Sequence, residues 1–276
     1  MKKKLSLLFI SLLLVALAAC GTSKDEGAAD EKSTKLVVGA SAVPHAQILK
    51  KAEPILAKEG IELDVKVFQD YILPNTTLES KELDANYFQT PGYLALEMEE
   101  KGYDFVSVGE IHREPIGIYS KKYKSLDELP EGAKIIISTS DSDQGRILPI
   151  FEKAGLITLK EGVGENARVE DIVENPKKLD FSTRIEAKLL ATSFNNEEGD
   201  AVVINANYAL EGDVNLEEGI AFEGSDVVPA NLIVVRKEDE NNENIKKLVE
   251  VLKSEEIQSF IESEYKGSVI PVGKDE

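Results

Sequence analysis

The sequence predicts an α/β fold built as two lobes. Three observations carry that expectation: short apolar runs alternate with longer stretches of helical spacing, a strand, helix and strand open the body within about 30 residues, and no fixed repeat runs along the chain. Leu36-Val37-Val38-Gly39 is a buried-strand pattern. From Pro44 to Lys58, residues Ile48, Leu49, Ala52, Ile55 and Leu56 fall at helical spacing. Gly60 stops that helix, and Ile61, Leu63, Val65 and Val67 then alternate with Glu62, Asp64 and Lys66 as a strand does. Further strand-like runs lie at 105–108, 116–119, 134–137, 201–204 and 232–235. Near the end, Ile245, Leu248, Val249 and Leu252 share one helical face; Ile257, Phe260 and Ile261 share another, capped by Ser254 and ended by Gly267. The extended segments from Glu114 to Ser120 and from Val228 to Arg236 carry Pro115 and Pro229 and are placed to cross between lobes. That divides the body into 35–115 plus 232–276 and 116–231.

Ahead of this body, Lys2, Lys3 and Lys4 precede an apolar run from Leu5 to Ala19, interrupted by Ser6 and Ser11. As a helix the run would reach roughly 22 Å, short of a hydrocarbon core of about 30 Å, so residues 1–19 read as a signal peptide rather than a membrane span. The only cysteine, Cys20, follows Leu17-Ala18-Ala19 and offers its thiol to acylation; the segment resembles the lipobox of bacterial lipoproteins. A plain secretory signal with an incidental cysteine is the alternative. Residues 21–34 contain no large apolar side chain, so 20–34 is expected to be a lipidated cysteine on a flexible tether. The expected location is the extracytoplasmic face of a cell membrane.

With 32 basic and 51 acidic residues the chain carries a net charge of −19, and three of the lysines lie in the signal segment. Such a surface repels phosphate backbones and excludes nucleic acid as a partner. One cysteine also excludes a disulfide framework or a cysteine-rich metal site.

No GxSxG, GxxxxGK[ST] or HExxH motif is present, and Gly162-Val163-Gly164 lacks both the third glycine and the preceding strand of a dinucleotide loop. An enzyme is therefore not expected, nor a cofactor. His112 alternates with Glu110 and Glu114 along a possible strand, so with His45 these residues offer a metal-binding alternative; a solvated or hinge-side cluster is the other reading. His45 sits at a helix entrance, where its ring N–H is placed to bond a loop carbonyl or face a ligand.

The run from Leu83 to Tyr93 interleaves Tyr87, Phe88 and Tyr93 with Asn86 and Gln89, which suits a small amphipathic ligand or a helix-packing surface. In Asp141-Ser142-Asp143-Gln144-Gly145-Arg146, a helix N-terminus and a guanidinium fork together make a carboxylate receptor. Pro149 marks a late start or a kink in that helix. Asn205 and Asn231 end or follow strand-like runs, where an amide serves both ends of a zwitterion; Asn207 reads as a turn former.

These residues resemble the methionine-binding lipoproteins of bacterial ABC importers, the family that includes the NlpA-type lipoproteins. The resemblance runs from about Leu36 to Val272 through Val43-Pro44-His45-Ala46, Asp70-Tyr71, Ala85-Asn86-Tyr87-Phe88-Gln89, Gly145-Arg146 and Asp171-Ile172-Val173-Glu174-Asn175-Pro176. It implies a type II periplasmic-binding-protein fold with a ligand cleft between two lobes, binding L-methionine or a related amino acid for an ABC permease. A lipid-anchored monomer follows. By the same resemblance Arg146 holds the carboxylate, Asn205 and Asn231 fix the backbone polar groups, and Tyr71, Phe88 and Tyr93 enclose the side chain. Thr90 stands where the family has a pocket histidine, and Ser138 to Ser142 replaces an Asn- and Pro-rich stretch. A different amino acid or a dipeptide is thus the alternative ligand.

Overall fold

The computed structural model of the chain describes residues 34–224 and 226–273. Cys20, the signal segment at 1–19 and all but the last residue of the expected tether lie outside the described residues. Thr34, assigned above to the tether, instead opens the first strand, where its N–H donates to the Gly60 carbonyl at 2.9 Å.

The chain runs β1 (Thr34–Ser41), α1 (Gln47–Lys58), β2 (Ile61–Phe68), α2 (Leu73–Glu79), β3 (Ala85–Gln89), α3 (Pro91–Lys101) and β4 (Phe105–Arg113). It continues through β5 (Gly117–Tyr119), β6 (Ile135–Ser138), α4 (Asp141–Lys153), β7 (Thr158–Leu159), β8 (Ile172–Glu174), β9 (Arg184–Ile185), α5 (Leu190–Asn195), β10 (Ala201–Ile204), α6 (Ala206–Glu211) and β11 (Gly219–Phe222). It closes with β12 (Ala230–Arg236), α7 (Glu243–Leu252), α8 (Glu255–Tyr265) and β13 (Ile270–Pro271).

Two main sheets organise these elements. One is six-stranded in the order β13-β4-β12-β3-β1-β2, and the other is five-stranded in the order β11-β5-β10-β6-β9. β1 pairs in parallel with β2 and β3, while β12 runs antiparallel between β3 and β4. The chain leaves the first sheet at residues 114–116 and returns at 223–229, so two short segments join the two bodies.

Both sheets are covered on both faces, which explains why their central strands read as continuous apolar runs. In β1, Leu36, Val38 and Ala40 pack under α1, α7 and α8, while Val37 faces the opposite cluster with Leu78 and Leu94. In β10, Ala201 and Val203 meet Ile147, Leu148 and Phe151 of α4, whereas Val202 and Ile204 meet Leu190 and Phe194 of α5. β2, an edge strand, keeps apolar residues at alternate positions, with Ile61, Leu63 and Val65 packed into the core and Val67 exposed. Ser254 caps α8 by accepting from the Ile257 N–H. That helix ends on Lys266, which is left-handed at φ 47°, one residue before the Gly267 expected to stop it.

Candidate functional site

β3, at the middle of the six-stranded sheet, brings Tyr87, Phe88 and Gln89 to its C-terminal end, and Thr90 caps the helix that follows. Its amides turn inward: Gln89 Nε2 donates to Asn75 Oδ1 at 2.8 Å and to Asn86 Oδ1 at 2.9 Å, and Asn86 Nδ2 donates to Asn75 Oδ1 at 2.9 Å. Three buried amides thus satisfy one another and fix the strand end. Phe88 and Tyr93 stand 5.8 Å apart between ring centroids, and Tyr71 lies 6.0 Å from each. Tyr208, which sequence reading missed, stacks behind Tyr71 at 5.0 Å. Tyr93 Oη donates to the Tyr71 carbonyl at 2.9 Å, and Tyr71 Oη donates to Asn207 Oδ1 at 2.6 Å.

From the other sheet, α4 begins at Asp141, with Ser140 at the cap position. The helix runs unbroken from Asp141 to Lys153 with Pro149 inside it, so the expected late start is absent; the carbonyl facing the proline ring belongs to Gly145. Arg146 lies in its second turn. Its Nε and Nη2 donate to Glu223 Oε1 and Oε2 at 3.0 and 2.5 Å, and Nη2 also donates to the Glu114 carbonyl at 2.9 Å. Burial works against the charged guanidinium, but the hydrogen bonds and charge of Glu223 outweigh it and hold its pKa above the ordinary value. Glu223 also accepts from the Ile116 N–H at 3.2 Å.

Asn205 caps α6 in backbone position, yet its side chain leaves the cap to donate to Asp143 Oδ1 at 3.2 Å. Asn207 is not a turn former: it is buried within α6, held by Tyr71. Asp143 is 6% exposed, and burial raises its pKa although Arg146, Ser138 and Asn205 pull the other way.

Behind the cavity a bulge in the β4–β12 pairing, between Asn231 and Leu232, shifts the side-chain alternation. Ile111 and His112 both turn inward and Glu110 is left on the surface, so the expected Glu110-His112-Glu114 face does not form. His45, His112 and Glu114 do converge, their donor atoms lying within 4.8 Å of one another. The spacing is that of a hydrogen-bonded chain. His112 Nε2 stands 2.6 Å from Glu114 Oε1, closer than the roughly 3.3 Å that two ligands of one tetrahedral zinc keep. His112 Nδ1 meets the Tyr87 hydroxyl, and His45 Nε2 lies 3.0 Å from Asn231 Oδ1 and 3.3 Å from Glu114 Oε1. Both neighbours of His45 Nε2 are acceptors, which places the ring proton there and leaves the Asn231 N–H groups for the cavity.

Burial pushes His45 down to about 4 and His112 to about 3. In the window from about pH 6.5 to 4 the unfolded chain therefore binds more protons than the native one, and stability falls on acidification. Glu114 and Asp143, whose pKa values burial raises, oppose that slope in its lower part. His45→Gln is expected to remove about one proton from the uptake on unfolding near pH 5.5, read from the pH dependence of urea midpoints; an unchanged slope overturns the assignment.

Tyr71, Phe88, Thr90, Tyr93, Arg146, Asn205 and Asn231 all line one cavity, together with Gln89, Glu114, Ile116, Asp143, Ala206 and Asn207. Sequence reading missed Asp143 as a lining residue, although it lies three positions before Arg146 and so on the same helix face. Glu223 carries no local signal at all.

Two α/β lobes, crossed twice by the chain and sharing a cavity at their junction, define a two-lobe substrate-binding protein. Residues 36–273 match the NlpA lipoprotein family along nearly the whole described body. The chain belongs to that family. It is 46% identical to the methionine-binding lipoprotein MetQ of Bacillus subtilis (strain 168), over 97% of this chain and 99% of the relative. Among solved structures, a pheromone cOB1 precursor/lipoprotein of the YaeC family from Enterococcus faecalis V583 is 50% identical with a TM-score of 0.83, covering 87% of this chain and 100% of that one. A nutrient binding protein from Burkholderia cenocepacia, solved bound to methionine, is 39% identical with a TM-score of 0.81, covering 86% and 99%.

Proposed function

We propose that this chain is the extracytoplasmic receptor of an ABC importer, taking up methionine or a closely related amino acid and delivering it to a membrane permease. The observation that carries the reading is the meeting of Arg146 with the wall of Tyr71, Phe88 and Tyr93 in one cavity. Arg146 receives the carboxylate through Nη1, since Nε and Nη2 are held by Glu223; Asn205 and Asn231 fix the polar backbone, and the rings cover an apolar thioether chain. The lobes, 35–115 plus 232–276 and 116–231, part to admit the ligand and close to exclude water.

Anchoring rests on the sequence: cleavage after Ala19, acylation of Cys20 and a tether that ends before Thr34 hold the body at the membrane as a monomer. Among the described residues no helix is long and apolar enough to cross a membrane. Binding, not catalysis, is the proposed role.

Titration calorimetry with L- and D-amino acids and methionine dipeptides tests the reading; silence across that panel sinks it. Thr90, a helix cap without a side-chain cap bond, borders the cavity. Thr90→His fills space there and is expected to weaken ethionine more than methionine, by about tenfold or more for the added methylene. Equal weakening of both removes Thr90 from the specificity argument.

A further inference from the structure

Given an amino-acid ligand in this cavity, the reading on which this step rests, we propose that Asp143 is the receptor for the ligand's ammonium group. An unblocked amine is then a requirement for binding. Three carboxylates surround Arg146, and two of them are already committed. Glu223 gives both oxygens to the guanidinium, and Glu114 faces His112 and His45. Asp143 differs: Oδ1 accepts from Asn205, whereas Oδ2 is buried and has no hydrogen-bond partner.

A buried carboxylate oxygen without a partner is costly, and the atom that relieves it most is a cation bearing N–H donors. Ser138 adds a neutral hydroxyl beside the carboxyl group, but among the described residues no cation hydrogen-bonds Oδ2. Tyr71 and Tyr93, which line the cavity with Asp143, direct their hydroxyls to Asn207 Oδ1 and the Tyr71 carbonyl, and Tyr208 behind them directs its own to the Gln69 carbonyl. Arg146, the cation facing the same space, is forked onto Glu223.

The placement fits an α-amino acid. Asp143 and Arg146 are three residues apart on α4, hence neighbours on one helix face, and an amino acid presents its two charges from one carbon. Arg146 takes the anion and Asp143 the cation, with Asn205 bracing the acid. Deaminated or N-acylated analogues keep the carboxylate and the side chain, yet bring no cation to Asp143 Oδ2.

Calorimetry on the full chain in detergent tests this with L-methionine, 4-(methylthio)butanoate and N-acetyl-L-methionine. The wild type is expected to bind methionine about 100-fold or more tighter than either analogue. Asp143→Asn keeps the shape; it is expected to weaken methionine by about 10–100-fold and leave 4-(methylthio)butanoate unchanged or tighter, so that the preference collapses. Two results overturn the proposal: a variant that weakens both ligands equally, which makes Asp143 a brace for Asn205, or a wild type indifferent to the amine. The second needs no variant. A wild type that binds methionine but ignores the amine defeats the Asp143 assignment alone, while silence toward every amino acid defeats the receptor reading and this one with it.

Discussion

Arg146→Ala is expected to abolish ligand binding and to destabilise the chain in the same stroke. The guanidinium is the cation in the cavity lining, and its removal leaves Glu223, 7% exposed, as a buried carboxylate with both oxygens stripped of their fork. Removing one partner of a buried pair costs about 3–5 kcal/mol, since the remaining charge is neither paired nor hydrated. Urea denaturation reads the stability loss and calorimetry the binding. Arg146→Lys separates the two effects, because it keeps the charge and loses the fork. If Arg146→Ala binds methionine as tightly as the wild type, the carboxylate lies elsewhere.

Asn231→Ala carries the second largest effect. Asn231 is the last member of a buried chain that runs from Tyr87 through His112, Glu114 and His45 to the cavity. Alanine removes the ligand's amide contact and leaves His45 Nε2 short of its nearest acceptor. Affinity is expected to fall about 100-fold, near 2.8 kcal/mol, with a further 1–3 kcal/mol lost from folding, about the desolvation penalty of one unmet polar group. His45→Ala, which leaves Asn231 in place but free to turn, is expected to weaken binding less. Equal losses in the two variants mean that the amide acts only through its position.

Most of the scaffold was legible because burial writes itself into hydropathy. β1, β6, β10 and β12 are covered on both faces and appear as apolar runs, while the edge strand β2 appears as alternation. β3 escaped assignment as a strand because Asn86 and Gln89 look like surface chemistry; their polarity is cancelled by Asn75, brought beside them by a helix that local pattern does not relate to the strand. The inward turn of His112 was hidden for a similar reason, since a bulge is a property of the pairing with β12 and not of β4 alone. In the cavity, Tyr71, Phe88, Thr90, Tyr93, Arg146, Asn205 and Asn231 were readable by type, but Asp143 and the commitments among these groups were not. The partner of Arg146 lies 77 residues away, and only the fold shows that its fork is occupied.

That fork touches both segments by which the chain passes between lobes: Arg146 donates to the Glu114 carbonyl and to Glu223, and Glu223 in turn accepts from Ile116. If Arg146 receives the ligand's carboxylate as proposed, anion binding and the two lobe crossings share one piece of structure. Evolution has little freedom to retune either without disturbing the other. Ligand preference in this lineage is expected to drift through the ring wall and Thr90, which lie outside both crossing segments, while Arg146, Glu223 and Glu114 stay fixed.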